Sequence, residues 1–199
     1  ILGIGGLVGA GRTELLRCLF GVDPFDSGEI ILDGEQYSPS VSKSLKQGIG
    51  LIPEDRRTQG FIPILSQTRN IALTSYDHLA KVGFVANRKE KQTAVKAISK
   101  LDIRPANPDM KVINMSGGNQ QKVVLAKWLI RDLKLLLVDE PTAGIDVGAK
   151  DEIYNHLNQL AESGVMIILV SSDLPELIKL SHRIIILRRG AKVMTFDTG

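Results

Sequence analysis

The sequence predicts an α/β protein with a parallel-sheet core and crossover helices, a mostly helical insertion in its middle third and a small antiparallel β element. Three observations predict it. Apolar runs of strand length, among them Leu135–Val138 and Val165–Val170, alternate with stretches of helical spacing, the pattern of strands joined by crossover helices. A glycine-rich stretch, Gly6 to Glu14, sits where one apolar run passes into a helix. Between about Ser66 and Ile113 the strand signals stop.

Composition narrows the classes. With 199 residues, 43% of them hydrophobic and 24% charged, the chain can bury one sizeable core, and a single domain over residues 1–199 is expected. The formal charge of +3 is modest and its basic residues are dispersed, which argues against a nucleic-acid surface. Cys18 is the one cysteine, so no internal disulfide forms; a reducing compartment and a buried thiol on the first helix are expected. The apolar runs fall far short of the roughly 20 residues that a spanning helix needs. No basic region precedes a long apolar segment, so no signal peptide is expected. The strand that feeds the glycine-rich stretch starts at Ile1 itself, and a natural N-terminus upstream is expected.

In chain order, Ile1–Gly5 is a short strand and Leu15, Leu16, Leu19 and Phe20 mark a helix. Gly6, Gly11 and Thr13 between them fit G-x-x-x-x-G-K-[ST], with Arg12 at the lysine position. Glycines let a backbone close around an anion, and a helix start aims bare N–H groups at it. A tight strand-to-helix turn with an exposed arginine is the other reading. Asp23–Gly28 breaks the helix, Glu29–Gly34 makes a hairpin edge, Ser40–Gln47 is weakly helical, and Ile49–Ile52 is a buried strand stopped by Pro53. Glu54–Gly60 is highly charged, either a solvated loop held by local ion pairs or a functional one.

Arg69–Leu73 and Lys89–Leu101 are helical, the latter with an apolar stripe, and 103–112 is a proline-bearing connector. Ser116-Gly117-Gly118-Asn119-Gln120 opens another helix, with Ser116 a candidate N-cap. It is an ordinary loop-to-helix joint or a second anion cradle. Leu135–Val138 has the pattern of a strand buried on both faces and ends in Asp139-Glu140. Strand-end acids in an open α/β sheet either cap the next helix or face the ligand crevice; in P-loop enzymes an acid here holds Mg²⁺, directly or through water, and a neighbouring one can orient or activate the attacking water. A helix with Ile153, Leu157 and Leu160 follows, then the strand 165–170 ending in Ser171-Ser172-Asp173, the short helix Leu174–Leu180, and a terminal hairpin around Arg189-Gly190.

The three motifs, in this order, resemble the nucleotide-binding domain of ABC transporters, with a P-loop NTPase core, over essentially the whole chain. Gly-Ala-Gly-Arg-Thr-Glu, Ser-Gly-Gly-Asn-Gln-Gln-Lys-Val, Ile-Asp-Val-Gly-Ala-Lys and Leu-Val-Ser-Ser-Asp resemble, more narrowly, the C-terminal ATPase domain of ribose-, galactose- and xylose-type importers. The resemblance implies ATP and Mg²⁺ as cofactors. Gly6, Gly9, Ala10, Gly11, Arg12, Thr13 and Glu14 would form the Walker A loop, with Thr13 and Asp139 on the metal and Glu140 as catalytic base. Ser116, Gly117, Gly118, Asn119 and Gln120 would be the signature loop for a partner domain's ATP, Gly144–Asp146 the D-loop, and 66–115 the helical subdomain facing membrane subunits.

It further implies a second nucleotide-binding domain packed head to tail, a permease, indirectly a periplasmic sugar-binding protein, no nucleic acid, and a peripheral place on the cytoplasmic face of the inner membrane. Three positions depart from the family pattern: Arg12 replaces lysine, Glu54 stands at the Q-loop glutamine and Ser172 at the switch histidine. The adenine-stacking aromatic would lie upstream of Ile1. The expectation is an ATPase domain of a monosaccharide importer whose own Walker site is degenerate. A non-hydrolysing regulatory nucleotide-binding module is the alternative, and an ABC ATPase acting on DNA or ribosomes ranks below both.

Overall fold

The computed structural model describes residues 1–81 and 84–198. Val82, Gly83 and Gly199, which the expected domain spans, lie outside them. The chain divides into two compact units, one of residues 1–54, 134–140 and 160–199, the other of 55–133 and 141–159.

The first unit holds a six-stranded sheet. Its strands are β1 (Leu2–Gly5), β4 (Ile49–Ile52), β7 (Leu135–Asp139), β8 (Met166–Val170), β9 (Arg183–Arg188) and β10 (Ala191–Asp197), in the order β10-β9-β1-β8-β7-β4. All neighbours are parallel except the terminal hairpin of β9 and β10. β7 lies between β4 and β8, with Leu137 opposite Leu51 and Ile168. Its Leu136, Leu137 and Val138 are wholly buried, as an unbroken apolar run in a parallel sheet requires.

Helix α1 (Arg12–Phe20) packs against β4 and β7, burying Arg12, Leu16 and Phe20 at a spacing of four. Cys18 lies two residues, or about half a turn, from that stripe. The expected buried thiol is therefore only half-buried, its Sγ 3.4 Å from the Pro24 carbonyl. The edge hairpin is β2 (Ile31–Leu32) with β3 (Glu35–Gln36), turning at Asp33 and Gly34, both with positive φ. Helices α2 (Val41–Lys46) and α8 (Leu174–Leu180) complete the unit.

The second unit is built on α6 (Gly117–Leu129), buried almost all round from Gln120 to Trp128. Helices α3 (Gln67–Ala72) and α5 (Asn87–Lys100) pack against it and each other. Helix α4 (Tyr76–Leu79) leads to a two-stranded pairing of β5 (Ala80–Lys81) with β6 (Phe84–Val85), which the sequence pattern did not announce. Helix α7 (Val147–Glu162) begins in this unit and ends in the other. In the charged stretch after β4, Glu54, Asp55, Arg57, Thr58 and Gln59 are exposed as a solvated loop would have them, but Arg56 and Gly60 are not. Arg56–Gly60 forms a π-helical turn capped by Asp55, with Arg56 and Gly60 buried. Among the described residues no helix is long and apolar enough to cross a membrane.

Lys127 of α6 donates to the Gly60 carbonyl at 2.6 Å, and burial brings its pKa down to about 8. Between that value and its ordinary value of 10.5 the unfolded chain binds the extra proton, so native stability rises with pH in this window. Wild type is expected to gain up to about 1.4 kcal/mol per pH unit there relative to Lys127→Met, read from urea midpoints at pH 8 and 10.

Candidate functional site

The candidate residues fall on the two units. On the first, the loop from Gly6 to Gly11 joins β1 to α1. A Cβ on Gly6 would lie 2.5 Å from the Leu187 carbonyl oxygen, so only glycine lets β9 approach. Gly11 caps α1 with φ 92 and no side-chain bond, leaving the first N–H groups of the helix to an outside acceptor. The loop is tightened by Ala10 N–H to Leu7 O at 3.0 Å and braced by Gly190 N–H to Ala10 O at 2.9 Å. Gly9 is exposed at φ 79 with open space around it, and Glu14 is exposed in the first turn of α1.

Arg12 is not the exposed arginine of a plain turn. Its side chain is 7% exposed, and its Nη2 lies 3.2 Å from Glu140 Oε1. The same oxygen accepts the Ser172 N–H at 2.6 Å, while Ser171 Oγ lies 3.5 Å from Oε2. Glu140 sits at φ 44 with its own N–H on Val170 O, a conformation that costs a non-glycine residue free energy. Ser172 thus contributes its backbone; its side chain is exposed. Oε1 of Glu140, with two donors on it, is not open to take a proton from water.

Asp139 is 2% exposed, with burial pushing its pKa up to about 6. Its hydrogen bond from the Thr13 side chain works the other way, Glu54 and Glu140 raise it further, and Arg12 lowers it. Asp139 Oδ1 and Arg12 Nη1 are both buried without a partner. A buried carboxylate oxygen and a buried guanidinium nitrogen, beside an uncapped helix start, fit a divalent cation and a phosphate chain. Among the described residues there is no group of three or more acids, histidines or cysteines placed to hold a metal, so a cation here would draw most of its ligands from water or phosphate oxygens.

On the second unit, Ser116 occupies the N-cap position of α6, yet its side chain makes no capping bond. Its Oγ instead accepts from Asn119 Nδ2 at 3.0 Å, and Asn119 Oδ1 accepts the Arg104 N–H at 2.7 Å. This leaves the exposed Ser116 hydroxyl its proton to donate outward. Gln120 is buried, donating to the Val112 and Met115 carbonyls. Gly118 is needed for packing, since a Cβ there would meet Ala149 Cβ at 2.6 Å. Arg56, which the spacing did not distinguish from Arg57, lies against Gly117 and binds the Ala143 and Gly144 carbonyls.

The raised Asp139 pKa has a sign opposite to that of Lys127. Between its ordinary 3.8 and about 6 the native chain binds the extra proton, so stability falls as pH rises through that window. Wild type should lose up to about 1.4 kcal/mol per pH unit there relative to Asp139→Asn, measured by urea unfolding at pH 4.5 and 6.

Residues 1–143 match the family described as ABC transporter. The ribose import ATP-binding protein RbsA of Oceanobacillus iheyensis is 42% identical over 213 residues, covering 100% of this chain and 43% of that protein. The arabinose import ATP-binding protein AraG of Pectobacterium atrosepticum is 45% identical over 193 residues, covering 96% and 38%. The chain spans about two fifths of the length of these curated relatives. Among solved structures, the dimeric ATP-binding cassette MJ0796 in a post-hydrolysis state, bound to ADP and Pi, gives a TM-score of 0.86 at 22% identity, over 100% of this chain and 85% of that one. A nucleotide-free ATP-binding cassette from an ABC transporter gives 0.83 at 18%, over 99% and 80%. The expected parallel-sheet α/β core is the fold these cassettes share, and with the match over residues 1–143 it follows that the chain belongs to the ABC transporter family.

Proposed function

We propose that the chain is an ATP-binding and ATP-hydrolysing domain that powers import of a monosaccharide through a membrane permease, and that its own Walker site is the weaker of a pair. The Arg12–Glu140 ion pair carries the reading. The N–H groups of Gly9, Gly11 and Thr13 take the phosphates, with Gly6 and Ala10, whose N–H is held by the Leu7 carbonyl, shaping the loop and Glu14 at its edge. Thr13 and Asp139 hold Mg²⁺, which when bound neutralises phosphate charge and orients the chain of phosphates. Glu54 adds an anion near Asp139 where a neutral amide is the family pattern. Glu140 stands at the catalytic-base position of the family pattern, but Arg12 and the Ser172 N–H already occupy its Oε1, which leaves Oε2 alone to take the proton of an attacking water.

Ser116 and the start of α6, through Gly117, Gly118, Asn119 and Gln120, complete the ATP site of a second nucleotide-binding domain packed head to tail. Residues 66–115 form the helical subdomain within a single domain, turned to the permease at the cytoplasmic face of the membrane. The relatives named for ribose and arabinose import support a sugar as cargo, delivered by a periplasmic binding protein. The same ion pair favours a second reading, a regulatory module that binds nucleotide without turnover.

In the full-length protein with its permease, the matching Glu→Gln change in the other domain should lower hydrolysis about 100-fold or more, the loss of a general base, and Glu140→Gln much less. Equal losses would remove the asymmetry. Arg12→Lys, which frees Glu140, should raise hydrolysis at this site; if it does not, with MgATP still bound, the regulatory reading stands.

A further inference from the structure

Arg56 has an environment that the Walker and signature motifs leave unexplained. Its side chain is 9% exposed. Nη1 donates to the Ala143 carbonyl at 2.6 Å and Nη2 to the Gly144 carbonyl at 3.1 Å, while Nε is buried without a partner. A Cβ on Gly117 would lie 2.8 Å from Nη2, so the guanidinium rests against the first residue of α6. One planar group therefore touches two separate segments, the 143–144 turn and the start of α6.

A buried cation is costly unless its donors are met, and two neutral carbonyls do most of that work here. Asp55 acts on the charge as well, but its oxygens accept the Arg57 and Thr58 N–H groups and the Thr58 hydroxyl. The base of the side chain is also fixed. The π-helical turn that carries Arg56 ends at Gly60, whose carbonyl takes Lys127 Nζ, and a Cβ on Gly60 would approach Val124 Cγ2 to 2.9 Å. The turn is thus held to α6 at its Gly60 end. A rigid fork serving two adjacent carbonyls is a task that lysine, a single point donor, cannot reproduce.

We propose that Arg56 is a positioning residue for the partner domain's ATP site: it fixes the 143–144 turn against the N-terminus of α6, so that Ser116 and the first N–H groups of the helix are presented in one geometry. The inference rests on the reading above, in which the start of α6 completes a partner's site. The glycine at 117 is on this view a requirement of Arg56, because any side chain there displaces the guanidinium.

The test uses the full-length protein assembled with its permease. Arg56→Lys should lower kcat for ATP hydrolysis tenfold or more, on the order expected for groups displaced by about 1 Å, while KM for ATP changes less than about twofold. Binding of MgATP to this chain's own loop should be unchanged, and the loss of kcat should persist well below the thermal midpoint, which falls with the lost carbonyl bond. Gly117→Ala should cost kcat in the wild type and less in Arg56→Lys, since the nearer collision partner, Nη2, is then gone and only the Gly144 carbonyl oxygen at 3.3 Å remains. An unchanged kcat in folded Arg56→Lys, additive losses in the double variant, or a loss of MgATP binding at this chain's own loop that matches the loss of kcat would each overturn the proposal. Ser116→Ala runs alongside. If it leaves hydrolysis intact, the reading of α6 as part of a partner's site fails; if it lowers hydrolysis and Arg56→Lys does not, the role of Arg56 alone fails.

Discussion

The constraint behind the first unit is that two carboxylates end a strand buried on both faces. β7 is enclosed by β4 and β8, so Asp139 and Glu140 emerge where water is scarce. An acid in that position must gain a proton, a cation or hydrogen-bond donors. The two acids take different routes. Asp139 keeps one oxygen bare and its proton affinity rises, whereas Glu140 collects a guanidinium and a backbone N–H. The left-handed backbone of Glu140 is the local cost of turning its side chain toward Arg12.

That difference changes what Arg12 means. At the lysine position of the motif, an arginine suggests a broader, forked hold on phosphate. In the fold the fork is divided: one nitrogen engages Glu140 and the other lies buried and unpartnered. A compact ammonium on a flexible stem has no second nitrogen to leave beside the acid in this way. The arginine at this position therefore acts on the acid that follows β7.

Much of the fold was legible from period and punctuation. The unbroken apolar runs at Leu135–Val138 and Val165–Val170 became neighbouring parallel strands, and Asp33-Gly34 and Arg189-Gly190 became hairpin turns with positive φ. The glycine-rich loop was legible because its job depends on backbone conformation, which glycine spacing encodes. Side-chain partners were not. Nothing in a charged run separates Arg56, which is buried, from Arg57, which is exposed, because the difference lies in carbonyls 87 and 88 positions away. Ser116 shows the same limit: its place at the helix start was evident, but Asn119 engages its hydroxyl instead of the backbone. Cys18 was misplaced because α1 buries a narrower stripe than its leucines suggest, with Arg12 rather than Leu15 on the inner face.

The brace on the glycine-rich loop comes from the far end of the chain, where the turn of the terminal hairpin donates a backbone N–H to Ala10. A contact made by main-chain atoms on both sides is indifferent to which side chains flank it. Apart from Gly190, whose positive φ the turn demands, the hairpin can drift in sequence without loosening its grip on the loop. The shape of the cradle is in this sense inherited through topology: it persists as long as the last two strands pair, whatever they are made of.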